Sequence, residues 1–296
     1  MTGHVLLADW GTTSRRAWLL DESGRIAAIF EDQRGMAAVE PGGWEAAFGE
    51  LKRNLGGTEP RLSLLAGMVG ANRGWREAPY VPCPAGLGEL AAGLCWVEPR
   101  SIAIVPGLSQ ACGAPADVMR GEETQVLGAI AACLAPADCV ACHPGTHTKW
   151  VAVRGGRVTE FRTVMTGELF ALLKGRSILA EHLGDVVAAG ADFDAGLDRG
   201  LDGCELTADL FRVRSDALLG TGSIGNGAAY VSGLLIGADL RAGLALSEGR
   251  EVHVIGRSDL ASLYAAALER SGREVRRIDG GEAVVAGLKQ LAELVE

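Results

Sequence analysis

The residues best equipped for chemistry stand near the start of the chain: Asp9-Trp10-Gly11-Thr12-Thr13-Ser14-Arg15-Arg16. A glycine in a tight turn lets a ligand approach the backbone with no Cβ in the way. Consecutive N–H groups in such a turn form an anion-binding concavity. Thr and Ser hydroxyls can hydrogen-bond phosphate oxygens, and Arg adds charge. Asp9, closing an apolar run, is placed to face Mg2+ directly or through water. Together these residues imply a turn that holds a polyphosphate. One Gly-Thr pair alone would be an ordinary hairpin turn, so the weight rests on a second copy.

That copy exists. Val5 to Phe30 reads VLLADWGTTSRRAWLLDESGRIAAIF, and Cys139 to Phe161 reads CVACHPGTHTKWVAVRGGRVTEF. Each has a short apolar strand, then Gly-Thr (Gly11-Thr12 and Gly145-Thr146), then a polar turn with a basic residue (Arg16 and Lys149). Each continues into a second apolar strand and a Gly-Arg-aliphatic run, Gly24-Arg25-Ile26 and Gly156-Arg157-Val158, that opens a third. The copies lie 134 residues apart, Gly11 to Gly145, which suits a duplicated domain and not a solenoid. Two such turns facing one another would hold a triphosphate from both sides.

Positioning these turns requires strands and helices. The chain has 296 residues, which suggests two domains. With 42 Gly and 5% aromatics it suits an α/β protein with many tight turns. Apolar runs predict strands over Leu62–Ala66, Ile102–Val105, Asp138–Cys142, Val252–Ile255 and Val275–Ile278. Three- and four-residue spacing predicts helices over Trp44–Leu55, Glu122–Leu134, Ile178–Ala189, Ala228–Leu246, Asp259–Arg270 and Glu282–Leu294. Ser258 is placed to cap the fifth. Pro136, within Ala135–Asp138, marks the domain junction, giving domains 1–134 and 135–296.

The net charge of −9 does not advertise a nucleic-acid partner. No run approaches the ~20 apolar residues of a membrane span. The N-terminus lacks a signal-peptide pattern, so the expected location is the cytoplasm. Seven scattered Cys fit a reducing compartment. Cys139 and Cys142, followed by His143, match metal and haem-attachment spacings. A zinc site would need a second ligand pair, and the pair is read as buried thiols in a strand. His143 and His147 flank the second turn and are read as polar neighbours of it. Gly220-Thr221-Gly222-Ser223-Ile224-Gly225 satisfies G-x-G-x-x-G, but no buried strand leads into it, as the dinucleotide reading requires.

Asp9 to Ala17 resembles the first phosphate motif of the actin–chaperone–sugar-kinase superfamily, as in glycerol kinases. The resemblance implies two ribonuclease-H-like, actin-like ATPase domains with an interdomain nucleotide cleft. It makes Gly11, Thr12, Thr13, Ser14 and Arg16, in preference to Arg15, the contacts to ATP, joined by Gly145, Thr146 and Lys149. Gly121-Glu122-Glu123-Thr124-Gln125-Val126-Leu127-Gly128 resembles the sugar-kinase motif Gly-Asp-Gln, whose Asp is the catalytic base. Glu122 stands at that place, one methylene longer, and Glu123 is the alternative. Val254-Ile255-Gly256-Arg257-Ser258 resembles the adenosine motif.

Over nearly its whole length the chain is similar to the 2-dehydro-3-deoxygalactonokinases. The phrases that carry this include Ala66-Gly67-Met68-Val69-Gly70-Ala71-Asn72, Val118-Met119-Arg120-Gly121-Glu122-Glu123-Thr124-Gln125 and Pro144-Gly145-Thr146-His147-Thr148-Lys149-Trp150-Val151. Phe161-Arg162-Thr163-Val164-Met165-Thr166-Gly167-Glu168-Leu169 and Ser232-Gly233-Leu234-Leu235-Ile236-Gly237-Ala238 add to them. The resemblance implies ATP- and Mg2+-dependent phosphorylation of the 6-hydroxyl of 2-dehydro-3-deoxy-D-galactonate, and it leaves a homodimer open. The substrate carboxylate then needs cations or N–H groups. Met68, Gly70, Asn72 and Arg162 are the candidates, with Arg73 and Arg120 behind them. Glu168 is read as a helix cap. A kinase for another sugar or sugar acid of the same superfamily is the alternative within enzymes, and an actin- or chaperone-like nucleotide switch is the alternative outside them.

Overall fold

The computed structural model describes residues 3–111, 115–203, 205–256 and 258–295. They divide into two compact units.

The first unit comprises Met1–Asp138, Val153–Glu160 and Gly280–Glu296. Its elements in chain order begin with β1 (Val5–Trp10), β2 (Arg15–Leu20), β3 (Ile26–Asp32), α1 (Trp44–Asn54) and β4 (Leu62–Gly67). Next come β5 (Tyr80–Pro82), α2 (Leu87–Ala92), β6 (Cys95–Glu98), β7 (Ile102–Ile104), β8 (Gly107–Gln110), β9 (Asp117–Met119) and α3 (Glu122–Ala131). Six strands form a sheet in the order β3-β2-β1-β4-β7-β6, and β5-β8-β9 form a small second one. The run Val-Leu-Leu-Ala in β1 is buried on both faces, as a central strand should be. β2 returns antiparallel to β1, whereas β4 runs parallel to it. All strand ends that matter therefore open at one edge, beyond Trp10 and Gly67. Beneath them Trp10 packs against Trp44 of α1, ring centroids 5.2 Å apart.

The second unit comprises Cys139–Ala152 and Phe161–Asp279. Its elements, with β11 and β12 running through the Val153–Glu160 stretch that counts to the first unit, are β10 (Cys139–His143), β11 (Thr148–Arg154), β12 (Arg157–Val164), α4 (Thr166–Arg176), α5 (Ala191–Leu201), α6 (Leu206–Leu219), α7 (Gly227–Leu244), β13 (Val252–Gly256), α8 (Ser258–Arg270) and β14 (Val275–Asp279). Its sheet order is β12-β11-β10-β13-β14, with β10, β13 and β14 parallel. Third strand, second, first, then parallel neighbours: this is the order of the first sheet again, as the sequence echo predicts. Helices α5 and α7 meet through glycines. A Cβ at Gly200 would lie 2.8 Å from Gly237 Cα, and one at Gly237 2.9 Å from Gly200 Cα. Neither helix could come so close with larger residues.

The division differs from a single cut after residue 134. The passage into the second unit falls at Asp138, and the chain returns to the first twice. The C-terminal helix α9 (Gly280–Leu294) packs in the first unit because Val284, Leu288 and Leu291 form a fully buried stripe. Its Gly287 meets α3 at Gly128, where a Cβ would lie 3.2 Å from Cα. The predicted helix over Ile178–Ala189 is only a 3-10 turn, Ala180–His182. Leu179 and Leu183 are buried from that one turn, and Ile178 and Val186 are left exposed. Conversely α2, α4, α5 and α6 lie outside the predicted helices. Gly196 and Gly200 dilute the apolar period of α5, and α6 spends Asp209 on an ion pair with Arg199 at 2.9 Å.

Candidate active site

At the open edge of the first sheet three backbone segments converge. The first turn, Gly11 to Ser14, leaves Thr12 and Thr13 exposed, and Gly11 N–H donates to Ser14 O at 2.9 Å. Register pairs Asp9 with Arg16 across β1 and β2, and Arg16 Nη2 donates to Asp9 Oδ2 at 3.0 Å. Strand alternation sends the neighbouring Arg15 to the other face. There its guanidinium, 1% exposed, makes a bidentate contact with Asp32 at 3.0 and 2.9 Å and donates to Ala47 O. Burial would raise the Asp32 carboxyl, but the hydrogen bonds and charge of Arg15 bring it below its ordinary value. Arg15 is thus a structural tie, and Arg16 stays beside the turn.

The second segment is the end of β4. Gly67 has φ 89°, and a Cβ there would lie 2.7 Å from Trp10 O and 3.5 Å from Asp9 Oδ1. The third is the start of α3. Its N-cap Gly121 has φ 103°, and a Cβ there would lie 3.2 Å from Gly67 Cα. Glycine is required at both positions by conformation and by contact. Together they set Glu122 close to the end of β1.

Glu122 and Glu123 have opposite environments. Glu122 is partly exposed and accepts the Arg120 backbone N–H at 3.1 Å. Glu123 is 0% exposed, and both its oxygens accept Gly121 N–H, at 2.9 and 2.7 Å. Burial, and then the neighbouring Glu122 carboxylate, push the Glu123 carboxyl up to about 8. A carboxyl raised in the folded state binds a proton that the unfolded chain releases between pH ~4.5 and ~8. Stability therefore falls as pH rises through that interval. Glu123→Gln mimics the protonated form, and a series of thermal melts should show a flatter pH profile for it than for the wild type.

Of the acceptor-site candidates, Met68 is half-buried, Gly70 buried, and Asn72 and Arg73 exposed, all just beyond β4. Arg120 lies against them. Its guanidinium stacks on Tyr80 at 4.4 Å and donates to Ala78 O, and a Cβ on Gly70 would lie 2.9 Å from its Nη1. Arg162 belongs to the second unit, exposed on β12, and donates to Ala242 O at 3.3 Å.

In the second unit the turn at Gly145 and Thr146 repeats the first, with Thr146 and His147 exposed. Counted from the glycine, Lys149 matches Arg15, not Arg16, and like Arg15 it is buried, at 4% exposure. Trp150 stands at the place of Arg16 and is also buried. His147 Nε2 pairs with Glu168 Oε2 at 2.5 Å, so Glu168 holds the turn instead of capping its own helix. Parallel pairing of β10 and β13 brings the Gly256 turn beside Pro144, and Gly256 has φ 151°. Arg257 and the side chain of Ser258 lie outside the described residues.

Beside Gly145 is a largely apolar cavity of about 210 Å³, lined by Phe170, Leu235, Leu260 and Leu263 with Ser232 and Tyr264. Its floor is a buried network absent from the sequence expectations. Asp239, 1% exposed, accepts from Trp150 Nε1 at 2.6 Å, Thr166 Oγ1 at 2.5 Å and Tyr264 OH at 2.5 Å. Cys139 and Cys142 are buried in β10, as expected of structural thiols, and burial with the nearby Asp239 pushes the Cys142 thiol up. The G-x-G-x-x-G stretch follows helix α6, not a strand. Gly220 ends that helix in the left-handed conformation, and Asp216 accepts from Ser223 and Ile224 N–H at 3.0 and 3.2 Å. It is a loop folded on its own carboxylate.

A carboxylate–arginine pair at a glycine turn, a glutamate at the start of a helix whose N-cap meets the neighbouring strand end, and the same turn built on a second sheet of like order are the parts that a small-molecule kinase requires. The 2-keto-3-deoxy-galactonokinase family pattern matches residues 9–291. The chain is 37% identical to the probable 2-dehydro-3-deoxygalactonokinase of Rhizobium meliloti, covering 99% of this chain and 98% of that one. It is 34% identical to the 2-dehydro-3-deoxygalactonokinase of Escherichia coli, over 100% and 99% of the two chains. A crystal structure of a proposed member from Sinorhizobium meliloti superposes with a TM-score of 0.90 at 37% identity, covering 98% of each chain. The chain belongs to the 2-keto-3-deoxy-galactonokinase family.

Proposed function

We propose that this kinase transfers the γ-phosphoryl group of ATP to the 6-hydroxyl of 2-dehydro-3-deoxy-D-galactonate. The products are 2-dehydro-3-deoxy-6-phospho-D-galactonate and ADP. One observation carries the reading beyond family membership: Asp9–Arg16, Gly67 and Gly121–Glu122 meet at one strand edge. The N–H groups and hydroxyls of Gly11 to Ser14, with Arg16, take phosphate oxygens. Gly145 and Thr146 take phosphate from the second unit. Both units are ribonuclease-H-like in this reading, which their shared strand order supports. The adenosine lies along Gly256, with Arg257 and Ser258, and its base occupies the apolar cavity beside Gly145.

Glu122 accepts the proton of the 6-hydroxyl. As it does so the new O–P bond forms, and the bond from the γ-phosphorus to the bridging oxygen breaks to release ADP. Asp9 fits Mg2+, since that ion commonly takes one or two carboxylates plus waters and substrate phosphates. Bound there, Mg2+ would neutralise phosphate charge. Met68, Gly70, Asn72 and Arg120 face the sugar acid in this reading. Arg162, on the second unit, is retained as a contact only if that unit reaches the carboxylate.

The test is product identification across keto-deoxy acids, aldoses and polyols, with ADP release followed in a coupled assay. A 6-phosphate of the keto-deoxy-galactonate is expected. Turnover of glycerol or an aldose in its place would reverse the substrate assignment, and ATP hydrolysis with no phosphorylated acceptor would favour a nucleotide switch.

A further inference from the structure

We propose that Gly35 and Gly167 are equivalent positioning residues that brace the two phosphate turns from behind. The proposal rests on the phosphate reading of those turns. The two glycines occupy the same place in the duplicated plan. Gly35 comes three residues after the end of β3 at Asp32, and Gly167 three residues after the end of β12 at Val164. Each stands at the start of a helical turn, Met36–Ala38 in one case and α4 in the other.

Space, not conformation, demands glycine here. Gly35 has φ −68° and ψ −167°, open to any residue. A Cβ on it would nonetheless fall 2.5 Å from Thr12 C and O and 2.6 Å from Gly11 O. A Cβ on Gly167 would fall 2.9 Å from Thr146 Cα and closer still to Gly145 O. Real Cβ atoms do not approach backbone so closely, so a side chain at either place must push the turn away.

The missing side chains let helix-start N–H groups reach the turns. Such groups have no partner within their own helix. Gly35 N–H donates to Thr13 O at 3.0 Å, Met36 N–H to Gly11 O at 2.9 Å, and Ala37 N–H to Thr12 O at 3.0 Å. At the second turn Glu168 N–H donates to Thr146 O at 2.9 Å. Three successive carbonyls of the first turn are thereby tied away from its outer side. A peptide flip that would point a carbonyl at a phosphate would break these bonds. The brace thus keeps N–H groups, and not carbonyls, available to the anion.

The test compares Gly35→Ala, Gly167→Ala and Met36→Pro with a control, Gly88→Ala in α2, where a Cβ meets nothing within 4 Å. Met36→Pro deletes one brace donor and sets a ring Cδ where its N–H met Gly11 O at 2.9 Å, with nothing added at Gly35 itself. Proline is tolerated at the first position of a helical turn, and the extended backbone of Gly35 suits a residue before proline. Steady-state kinetics should show the KM for ATP raised roughly 10- to 100-fold, as for a reacting group displaced by about 1 Å. The KM for the sugar acid should stay near the wild-type value, and thermal midpoints identify any variant that does not fold. If Gly35→Ala does not fold, Met36→Pro decides. Folded variants with a wild-type KM for ATP would overturn the brace, as would equal changes in both KM values. Arg16→Met then separates the two failures. If it still raises the KM for ATP, the phosphate reading stands without the brace, and if it does not, both fall.

Discussion

Glu122→Gln is expected to fold as the wild type does and to lose kcat by roughly 10²- to 10⁴-fold, the worth of a general base. The KM for ATP should change little, because the side chain sits at the start of α3 and not in either phosphate turn. The amide keeps the shape and can still accept the Arg120 N–H that now meets Oε2. It cannot take a proton from the attacking hydroxyl. Glu123→Gln is the matched control. Its side chain is fully buried and committed to Gly121 N–H, so its effect should appear in the pH profile of stability and not in turnover. Single-turnover measurement of both variants separates chemistry from product release. Glu122→Gln with most of its turnover intact would remove the base assignment, and a loss confined to Glu123→Gln would move it one residue along.

The second large effect is a contrast between adjacent arginines. Arg16→Met should leave stability nearly unchanged but lower kcat/KM for ATP roughly 10- to 100-fold, the equivalent of one charge-assisted hydrogen bond at ~1.5–3 kcal/mol. Arg15→Met should do the reverse. It removes the bidentate partner of Asp32 and the donor to Ala47 O, and with them the tie between β2, β3 and α1. Losing one member of a buried pair costs roughly 3–5 kcal/mol. Asp32 is 22% exposed and can recover some hydration, so the lower end is expected. Denaturant unfolding should therefore move for Arg15→Met, and ATP kinetics for Arg16→Met. Equal behaviour of the two variants would show that strand alternation does not divide their roles.

Legibility varied with the range of the interaction. The two Gly-Thr turns could be read from sequence because strand, Gly-Thr and return strand are local patterns, and because a second copy repeats them. The neighbouring arginines were harder. The basic residue after Gly145 looked like a counterpart of Arg16, yet period-two alternation makes Lys149 the counterpart of Arg15. The expected helix at Ile178–Ala189 failed because two buried leucines can be satisfied from a single turn. Helix α5 has no legible period because its apolar stripe is interrupted by Gly196 and Gly200, the glycines that let it touch α7.

By itself the amino-acid order determined the duplicated strand–turn–strand plan and the family to which the chain belongs. Those features are written in adjacent residues whose backbone needs are met locally. Tertiary structure alone decided which glutamate keeps access to solvent, where α9 packs, and that Gly35 and Gly167 press against the turns. Each of these depends on which distant segments share one volume. Burial and close approach are properties of that shared packing, and no stretch of sequence carries them singly.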